Sequence, residues 1–322
     1  MKTAPVERVR TVALWGTLLG LGLVFFIWSM RSVPFSDIQK VVSNLKAWQL
    51  MVIFLLNSGI ILLFTLRWWL ILRAQGHSLP YLDATRYRLA AFAISYFTPG
   101  QHFGGEPFQI LMVRRRHRVP SSTALAAITL DKATELFANF SILGIGLALF
   151  ASWGLNTLPI RNTLWVSIAL MLTPAVYVFA LVAGRRPISF ATRLFSGRIV
   201  AGLQRSEDEV GELARTRPGL LAQGLLISAI VWVLLFFEFW LALFFLGLSV
   251  NVFQLIAIVI AGRIALLAPT PGALGALEAS QVIAMQWLGF DPAYGLSLSL
   301  LIRARDILFG LVGFLWAGLG KG

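Results

Sequence analysis

Hydrophobic residues along the chain form long runs that are separated by short polar or basic segments. A run of about 20 apolar residues predicts a membrane-spanning helix, because that length crosses a hydrocarbon core of about 30 Å. Six such spans are predicted, at 11–29, 50–72, 121–150, 163–183, 220–247 and 293–319. The first run lacks a small-residue cleavage site after it, so we interpret it as a retained span rather than a signal peptide. The pattern predicts an all-α polytopic membrane protein.

Two further apolar segments, 88–113 and 252–289, are interrupted by helix-breaking residues. Neither half of either segment is long enough to cross a bilayer alone. Broken backbone inside a membrane is tolerated only where it is buried in protein or lines a cavity. We therefore predict two re-entrant hairpins, each made of two half-helices.

The interruptions belong to an internal repeat. Thr98–Glu106 reads TPGQHFGGE and Thr270–Glu278 reads TPGALGALE, so Pro99 and Pro271 lie 172 positions apart. The same offset aligns Gln109 with Gln281, Pro120 with Pro292 and Leu136-Phe137 with Leu308-Phe309. Repeats over about 50–150 and 221–319 are predicted, within a single integral membrane domain of residues 1–322. Paired interruptions of this kind mark the binding site of transporters built from inverted repeats.

Composition agrees with a membrane protein: 58% of the residues are hydrophobic, 13% are charged and the mean hydropathy is +0.80. The net charge of +13 is carried by short clusters between apolar runs, which favours the membrane surface over nucleic acid as a partner. The chain has no cysteine, and its three histidines lack metal-site spacing. We expect no metal and no cofactor.

The basic clusters predict an orientation, because cytoplasmic loops are enriched in Lys and Arg. With the N- and C-termini in the cytoplasm, the segments around Arg86 and Arg88, the run Arg114–Arg118 and the connection 184–217 are all inside. The last of these is predicted to be an amphipathic helix on the cytoplasmic surface. In this orientation the two hairpins enter from opposite sides, so the repeats have inverted topology. An inner cell membrane is the expected location.

Several charged residues fall inside the predicted spans, where each isolated charge costs about 2.5–3.5 kcal/mol. Lys132 with Glu135, and Arg303 with Asp306, are spaced to pair on one helix face. Packing salt bridges and a functional site remain equally open for the first pair. Arg67 is interpreted as reaching to the interface, and Glu238, which has no local partner, as protonated.

Three arginines are candidates for an anion site. Arginine presents a planar fork of donors that suits phosphate and stays charged when buried. Arg263, Arg303 and Arg305 have this role in our prediction, together with half-helix N-termini expected after Gly100 and Gly272. Close helix packing is the alternative explanation for the glycines.

Two further features are assigned functions. Glu106 and Glu278 are the acidic residues that the repeat places at equivalent positions, so they are predicted to face one cavity and to pair with arginine or exchange protons. A basic run that includes Arg114, Arg115, Arg116 and Arg118 is predicted to contact anionic headgroups at the inner leaflet. The same run also serves as a topology determinant.

These residues resemble a known family, the flippase-like transmembrane domain of lysylphosphatidylglycerol synthases and their stand-alone relatives. The resemblance rests on Pro99-Gly100, on Gly104-Gly105-Glu106-Pro107, on Asp131-Lys132 and on Pro271-Gly272 through Glu278 with Arg303. It covers about residues 11–319 and implies a protein that moves a phospholipid or lipid-linked headgroup between leaflets. Gln109 and Lys132 depart from the family pattern, in which basic residues and arginine are common at these positions. The 322 residues include no soluble acyltransferase domain, so lipid synthesis is not implied, and a separate enzyme is an expected partner.

The sequence thus predicts a lipid translocase that is not an enzyme. No GxxxxGK[ST] motif occurs, so movement is expected to be downhill or coupled to an ion gradient. An intramembrane enzyme that uses Glu106 or Glu278 as acid or base, and an accessory subunit that presents lipid-linked substrates, are the alternatives. The residues predicted to bind substrate are Gly104, Gly105, Glu106, Asp131, Lys132, Glu135, Arg263, Glu278, Arg303, Arg305 and Asp306.

Overall fold

The structure is a computed structural model. It describes residues 26–28, 31, 33–43, 45–96, 104–152, 158–191, 197–268 and 270–318. The predicted first span at 11–29, except for 26–28, and the motif residues Thr98–Phe103 lie outside the described part. Within that part the regular structure is helical and contains no strand, as the sequence predicts.

The helices follow the predicted segments closely. They are α1 Phe35–Ser43, α2 Ala47–Ala74, α3 Tyr81–Tyr96, α4 Glu106–His117, α5 Ser121–Ser152, α6 Leu158–Val182, α7 Pro187–Ala191, α8 Gly197–Thr216, α9 Pro218–Phe245, α10 Val252–Ala265, α11 Ala276–Trp287 and α12 Pro292–Gly318. A 3₁₀ turn covers Pro271–Ala273. Helix α1 has no counterpart in the prediction; its Ile38 packs with Val282 and Leu296 in a small core.

Local sequence explains where several helices begin and end. Proline occupies the first position of α9 and α12, where its missing N–H is not needed. A capping box in which Asn251 and Gln254 bond each other's backbone N–H starts α10. Helix α9 ends where Gly247 adopts φ +91° and Leu248 N–H donates to the Leu243 carbonyl at 2.9 Å.

One order of elements occurs twice along the chain. Helices α2, α3, α4 and α5 contain 28, 16, 12 and 32 residues, and α9, α10, α11 and α12 contain 28, 14, 12 and 27. In each set an interruption separates the two short helices. The predicted segments 88–113 and 252–289 are therefore helix–break–helix in both cases. Their re-entrant course and their opposite orientation in a bilayer stay predictions.

The described residues group into two compact units. Unit I contains residues 57–88 and 106–235, and its largest core surrounds the fully buried Trp68 and Leu72 of α2 and Leu130 of α5. Unit II contains the residues up to 56, 89–105 and those from 236 onward. Helices α11 and α12 pack against each other there, and α1 packs on α12.

Residues 184–217, predicted to be an amphipathic connection, form α7 and α8 in unit I. Helix α8 buries Val210 and Leu213 and exposes Glu212 and Arg215. Glu207 of α8 is buried, with only 3% of its surface exposed. It accepts hydrogen bonds from the backbone N–H groups of Ile188 and Ser189, at 2.9 and 3.0 Å, and so caps α7. The position of α8 on a membrane surface stays a prediction.

Candidate functional site: two buried ion clusters

The first helix break is held by a close backbone approach within unit II. Gly105 N–H donates to the Ser95 hydroxyl at 2.9 Å. A Cβ atom at Gly105 would overlap the backbone carbonyl of Ala91, so that only glycine fits there without displacing α3. Gly104 beside it has φ +138°, which also favours glycine. The glycines predicted to open the backbone thus allow α3 and the segment before α4 to touch.

Unit I contains a set of six charged side chains that we call the first ion cluster. Its members are Arg67, Arg88, Glu106, Asp131, Lys132 and Glu135. They supply three positive and three negative charges, so the cluster is formally neutral. Such pairing is what makes charged side chains tolerable among apolar helices.

Arg67 and Asp131 form the buried centre of this cluster, each only 1% exposed. Arg67 Nε donates to Asp131 Oδ1 at 2.6 Å, and its Nη1 donates to the Ser228 hydroxyl at 2.7 Å. Its Nη2 donates to Glu135 Oε2 at 3.3 Å. The prediction that Arg67 reaches the interface is therefore wrong, because its guanidinium group is buried and donates hydrogen bonds to residues on α5 and α9.

The outer part of the cluster is more accessible, with side chains between 14% and 18% exposed. Lys132 Nζ lies 3.2 Å from Glu106 Oε1 and 3.4 Å from Glu135 Oε2, so the predicted pairing with Glu135 is confirmed. Arg88 donates to Asp131 Oδ2 at 2.7 Å. Arg88, predicted as a cytoplasmic basic residue at the start of the hairpin 88–113, lies within α3 and faces this cluster. Its side of the membrane stays a prediction.

The second helix break is organised by Arg303. Gly272 and the following Ala273 have φ of +56° and +51°, a left-handed turn that leaves their carbonyls outside any helix. Arg303 Nη1 donates to the Gly272 carbonyl at 2.9 Å, and Nη2 donates to the Ala273 carbonyl at 3.1 Å. The arginine of α12 thereby satisfies the polar groups that the break exposes.

Glu278 completes this arrangement, and its residue is fully buried. Arg303 donates to it through Nε and through Nη2, the latter at 2.9 Å, and Gly275 N–H donates to Glu278 Oε2 at 2.9 Å. A contact of 3.4 Å from Nη1 to the Tyr96 hydroxyl uses the last N–H of Arg303. All five guanidinium donors are thus engaged within the protein. The helix after this break begins at Ala276 rather than directly after Gly272, as the sequence predicts.

A second arginine of α12 binds two carboxylates. Arg305 donates through Nη1 to Glu238 of α9 and through Nε to Asp306 Oδ1 at 2.9 Å. The predicted pairing of Arg303 with Asp306 is therefore wrong, because these arginines take different partners. Glu238, for which the sequence offers no local partner, pairs with an arginine 67 residues away. We call Glu238, Glu278, Arg303, Arg305 and Asp306 the second ion cluster, all of them in unit II.

The two clusters share a pattern. In each, the glutamate of the repeated motif binds a cation on the next long helix, Glu106 with Lys132 and Glu278 with Arg303. In each, a buried ion pair also joins the two long helices of the half, but its polarity is reversed. The long first helix supplies the cation Arg67 in one half and the anion Glu238 in the other.

The remaining predicted residues lie elsewhere. Arg114, Arg115 and Arg116 are exposed on the last turn of α4, and Arg118 follows with φ +55°. Arg263 is partly buried in the last turn of α10.

The predicted site residues did not include two members of the first ion cluster, Arg67 and Arg88, nor Ser228, which accepts a hydrogen bond from Arg67. Arg67 was recognised as a charge within an apolar run. It was assigned to the interface because its partner Asp131, 64 residues away, could not be identified from the sequence. Arg88 was counted as a cytoplasmic basic residue where the predicted hairpin 88–113 begins, since the polar start of α3 was not recognised as part of that helix.

Four helices in the described part are long and apolar enough to cross a membrane, at Ala47–Ala74, Ser121–Phe150, Arg161–Val182 and Pro218–Phe245. Helix α12 is comparably long at 27 residues but carries Arg303, Arg305 and Asp306. With buried ion clusters between such helices, the chain is a polytopic α-helical membrane protein.

Comparison with known proteins gives the family. Residues 13–313 match the family model described as the lysylphosphatidylglycerol synthase TM region, so the chain belongs to that family. A UPF0104 membrane protein of Methanothermobacter thermautotrophicus is 25% identical, over 97% of this chain and 95% of the relative. A UPF0104 membrane protein of Methanocaldococcus jannaschii is 20% identical, over 92% of each chain. The resemblance inferred from the motifs is confirmed.

Proposed function

We propose that this protein is a lipid translocase that moves a phospholipid or lipid-linked headgroup between the leaflets of the cell's inner membrane. The observation that carries the proposal is the first ion cluster, six charged side chains set among helices of membrane-spanning length. Ionisable residues within such helices mark substrate or ion pathways by default, because their burial has to be offset. Membership in a family linked to lipid handling supports the same conclusion.

The first ion cluster has a rigid centre and an exchangeable edge. Arg67 and Asp131 are almost fully buried and bond at 2.6 Å. Lys132 is 18% exposed, and its contacts to Glu106 and Glu135 are longer, at 3.2 and 3.4 Å. Long, partly hydrated ion pairs are weaker than buried short ones, so a ligand displaces them at lower cost.

A phospholipid headgroup fits the chemistry of that edge. Its phosphate would replace a carboxylate at Lys132 and Arg88, and a headgroup amine would take the carboxylate that is released at Glu106 or Glu135. Since the cluster is formally neutral, a zwitterionic headgroup would enter it without adding net charge. Basic residues Arg114–Arg116 on the exposed turn of α4 would collect anionic lipid at the surface.

The second ion cluster is less suited to bind a phosphate in this conformation. Every N–H donor of Arg303 is already used by Glu278, Tyr96 and the two carbonyls of the break. A phosphate there would have to displace the bonds that hold the break. We therefore propose that Arg303 stabilises the broken helix, and that the substrate headgroup is bound by the first cluster.

The test is transfer of fluorescent phospholipids with different headgroups in reconstituted liposomes, read as the fraction accessible to an impermeant quencher. Lys132→Gln should lower the transfer rate about tenfold or more, because a charged hydrogen bond to phosphate is worth about 1.5–3 kcal/mol. The matched control is Lys40→Gln, since Lys40 is 77% exposed on α1. It should transfer lipid as the unchanged protein does.

Other outcomes would contradict the proposal. Lipid that is chemically altered during the assay would identify an intramembrane enzyme. Neither transfer nor altered chemistry with any headgroup would favour an accessory subunit that presents lipid-linked substrate to a separate enzyme. Equal transfer by the Lys132 variant and its control would remove the first ion cluster from the substrate path.

A further inference from the structure

One carboxylate of the second ion cluster has an oxygen that the rest of the cluster leaves unsatisfied. Glu238 is 2% exposed, three quarters of the way along α9. Its Oε1 accepts a hydrogen bond from Arg305 Nη1. Its Oε2 is buried, and none of the described residues supplies a hydrogen-bond partner for it. A bare carboxylate oxygen in such a place is costly, since neither water nor a donor compensates its charge.

The neighbouring charges further disfavour the ionised form of the Glu238 carboxyl group. Arg305 also holds Asp306, with Nε at 2.9 Å and Nη2 at 2.8 Å from Oδ1. Two carboxylates therefore share one guanidinium. When two carboxylates share a site, one of them is readily protonated.

The neighbouring charges do not restore the balance. Arg303 of α12 lies nearby, but it is bound to Glu278 of α11 through two of its nitrogens. Arg263 of α10 lies next to Gly262 at the α9 contact, and Tyr96 of α3 lies near Asp306; α12 also carries Tyr294, in its first turn. Counted over the described cluster, three carboxylates face two guanidinium groups.

We propose that Glu238 is a proton-binding site, with the proton carried on Oε2. A metal cation fits less well, because alkali and alkaline-earth ions need several oxygen ligands, and the described part of the chain contains no group of three or more His, Cys, Asp or Glu side chains that could hold one. A proton needs only the one oxygen. In the binding step a hydronium ion gives its proton to the Glu238 carboxylate and leaves as water; release is the reverse.

Such a site would couple proton binding to the contact between α9 and α12. In the protonated state Asp306 alone neutralises Arg305, and Glu238 accepts a hydrogen bond as a neutral acid. Loss of the proton adds a second anion and strengthens the attraction between Glu238 and Arg305. The proton therefore weakens one of the bonds that join these two helices. This coupling rests on the proposed function, whereas the proton site itself does not.

The structure also argues against the two glutamates that the sequence nominated as proton carriers. Both oxygens of Glu278 accept hydrogen bonds, two of them from Arg303 and one from Gly275 N–H. Glu106 is paired with Lys132. Protonation of Glu278 would remove hydrogen bonds that both of its oxygens accept, and protonation of Glu106 would weaken its pair with Lys132, while Glu238 Oε2 takes a proton without losing a hydrogen bond.

The first experiment tests the site without any transport. Infrared difference spectra of the purified protein between acidic and alkaline pH should contain a buried carboxylic acid C=O band. The band should be absent in Glu238→Gln and retained in Glu212→Gln, whose side chain is exposed on α8. No band in the unchanged protein would overturn the proposal, and so would a band that persists in Glu238→Gln. The spectrum of the unchanged protein is informative even if the Glu238 variant does not fold.

The second experiment tests the coupling. A pH difference of one unit is worth about 1.4 kcal/mol, so one proton per lipid would sustain about a tenfold lipid asymmetry between leaflets. Liposomes with the unchanged protein should approach that asymmetry, and Glu238→Gln should show none. Lipid transfer that does not respond to the pH gradient would overturn the proposed coupling but would still support the translocase function. Absence of all transfer would refute the translocase, and the infrared result would still decide the proton site.

Discussion

Replacing Glu278 by glutamine tests whether the second ion cluster holds the helix break together. The carboxylate accepts three hydrogen bonds, two from Arg303 and one from Gly275 N–H. Glutamine has only one acceptor oxygen, and its amide group would point N–H at an N–H donor in either orientation. The change also leaves the positive charge of Arg303 buried without its anion.

The expected loss follows from those contacts. At least one charge-assisted hydrogen bond disappears, worth about 1.5–3 kcal/mol. Breaking a buried ion pair by removing one partner costs about 3–5 kcal/mol in all, and Glu278 is 0% exposed. We therefore expect Glu278→Gln to lower the free energy of unfolding by about 3–5 kcal/mol. The equivalent Glu106→Gln should cost about 1–2 kcal/mol, because Glu106 is 17% exposed and its contact with Lys132 is 3.2 Å long.

Unfolding by sodium dodecyl sulfate in mixed micelles, followed by tryptophan fluorescence, measures both variants, and the chain's 11 tryptophans give the signal. The double variant Glu278→Gln, Arg303→Met should be less destabilised than the sum of its single variants, since removing the cation relieves the unpaired charge. Equal, small losses at Glu278 and Glu106, or strict additivity in the cycle, would refute the structural role assigned to Arg303. In lipid transfer the order is expected to reverse, with Glu106→Gln the more damaging.

Three further predictions concern the backbone, the topology and the surface. Gly105→Ala should prevent stable folding or reduce the yield of folded protein, because the added Cβ would overlap the Ala91 carbonyl. Gly310→Ala, with open space around the added Cβ, should be neutral, and size-exclusion chromatography distinguishes the two variants. A cysteine at Asp291 should react with an impermeant reagent only from outside the cell and one at Arg116 only from the cytoplasm; the chain contains no other thiol, and cytoplasmic labelling at 291 would rule out inverted repeats. Glutamine at all three positions of Arg114–Arg116 should weaken binding to anionic vesicles at low salt and have little effect at high salt, where the charges are screened.

The sequence alone determined which segments are helical and where they are interrupted. Long apolar runs have one stable solution in a membrane, a helix whose backbone bonds are internal, so α2, α5, α6, α9 and α12 lie where hydropathy placed them. The breaks were equally local, because glycine and proline disrupt a helix whatever surrounds them. Pairing within one helix was also readable: Lys132 and Glu135 are three residues apart and do meet.

Tertiary structure alone decided which distant charges meet. Arg67 pairs with Asp131, 64 residues away, and Glu238 pairs with Arg305, 67 residues away. Spacing along the chain therefore could not predict either pair. Arg303 and Asp306 have the spacing for a pair and yet take other partners, because the bare carbonyls and the buried Glu278 of the second break offer Arg303 more hydrogen bonds. A buried charge selects the partners that satisfy all its donors, and those are set by how helices pack rather than by their order along the chain.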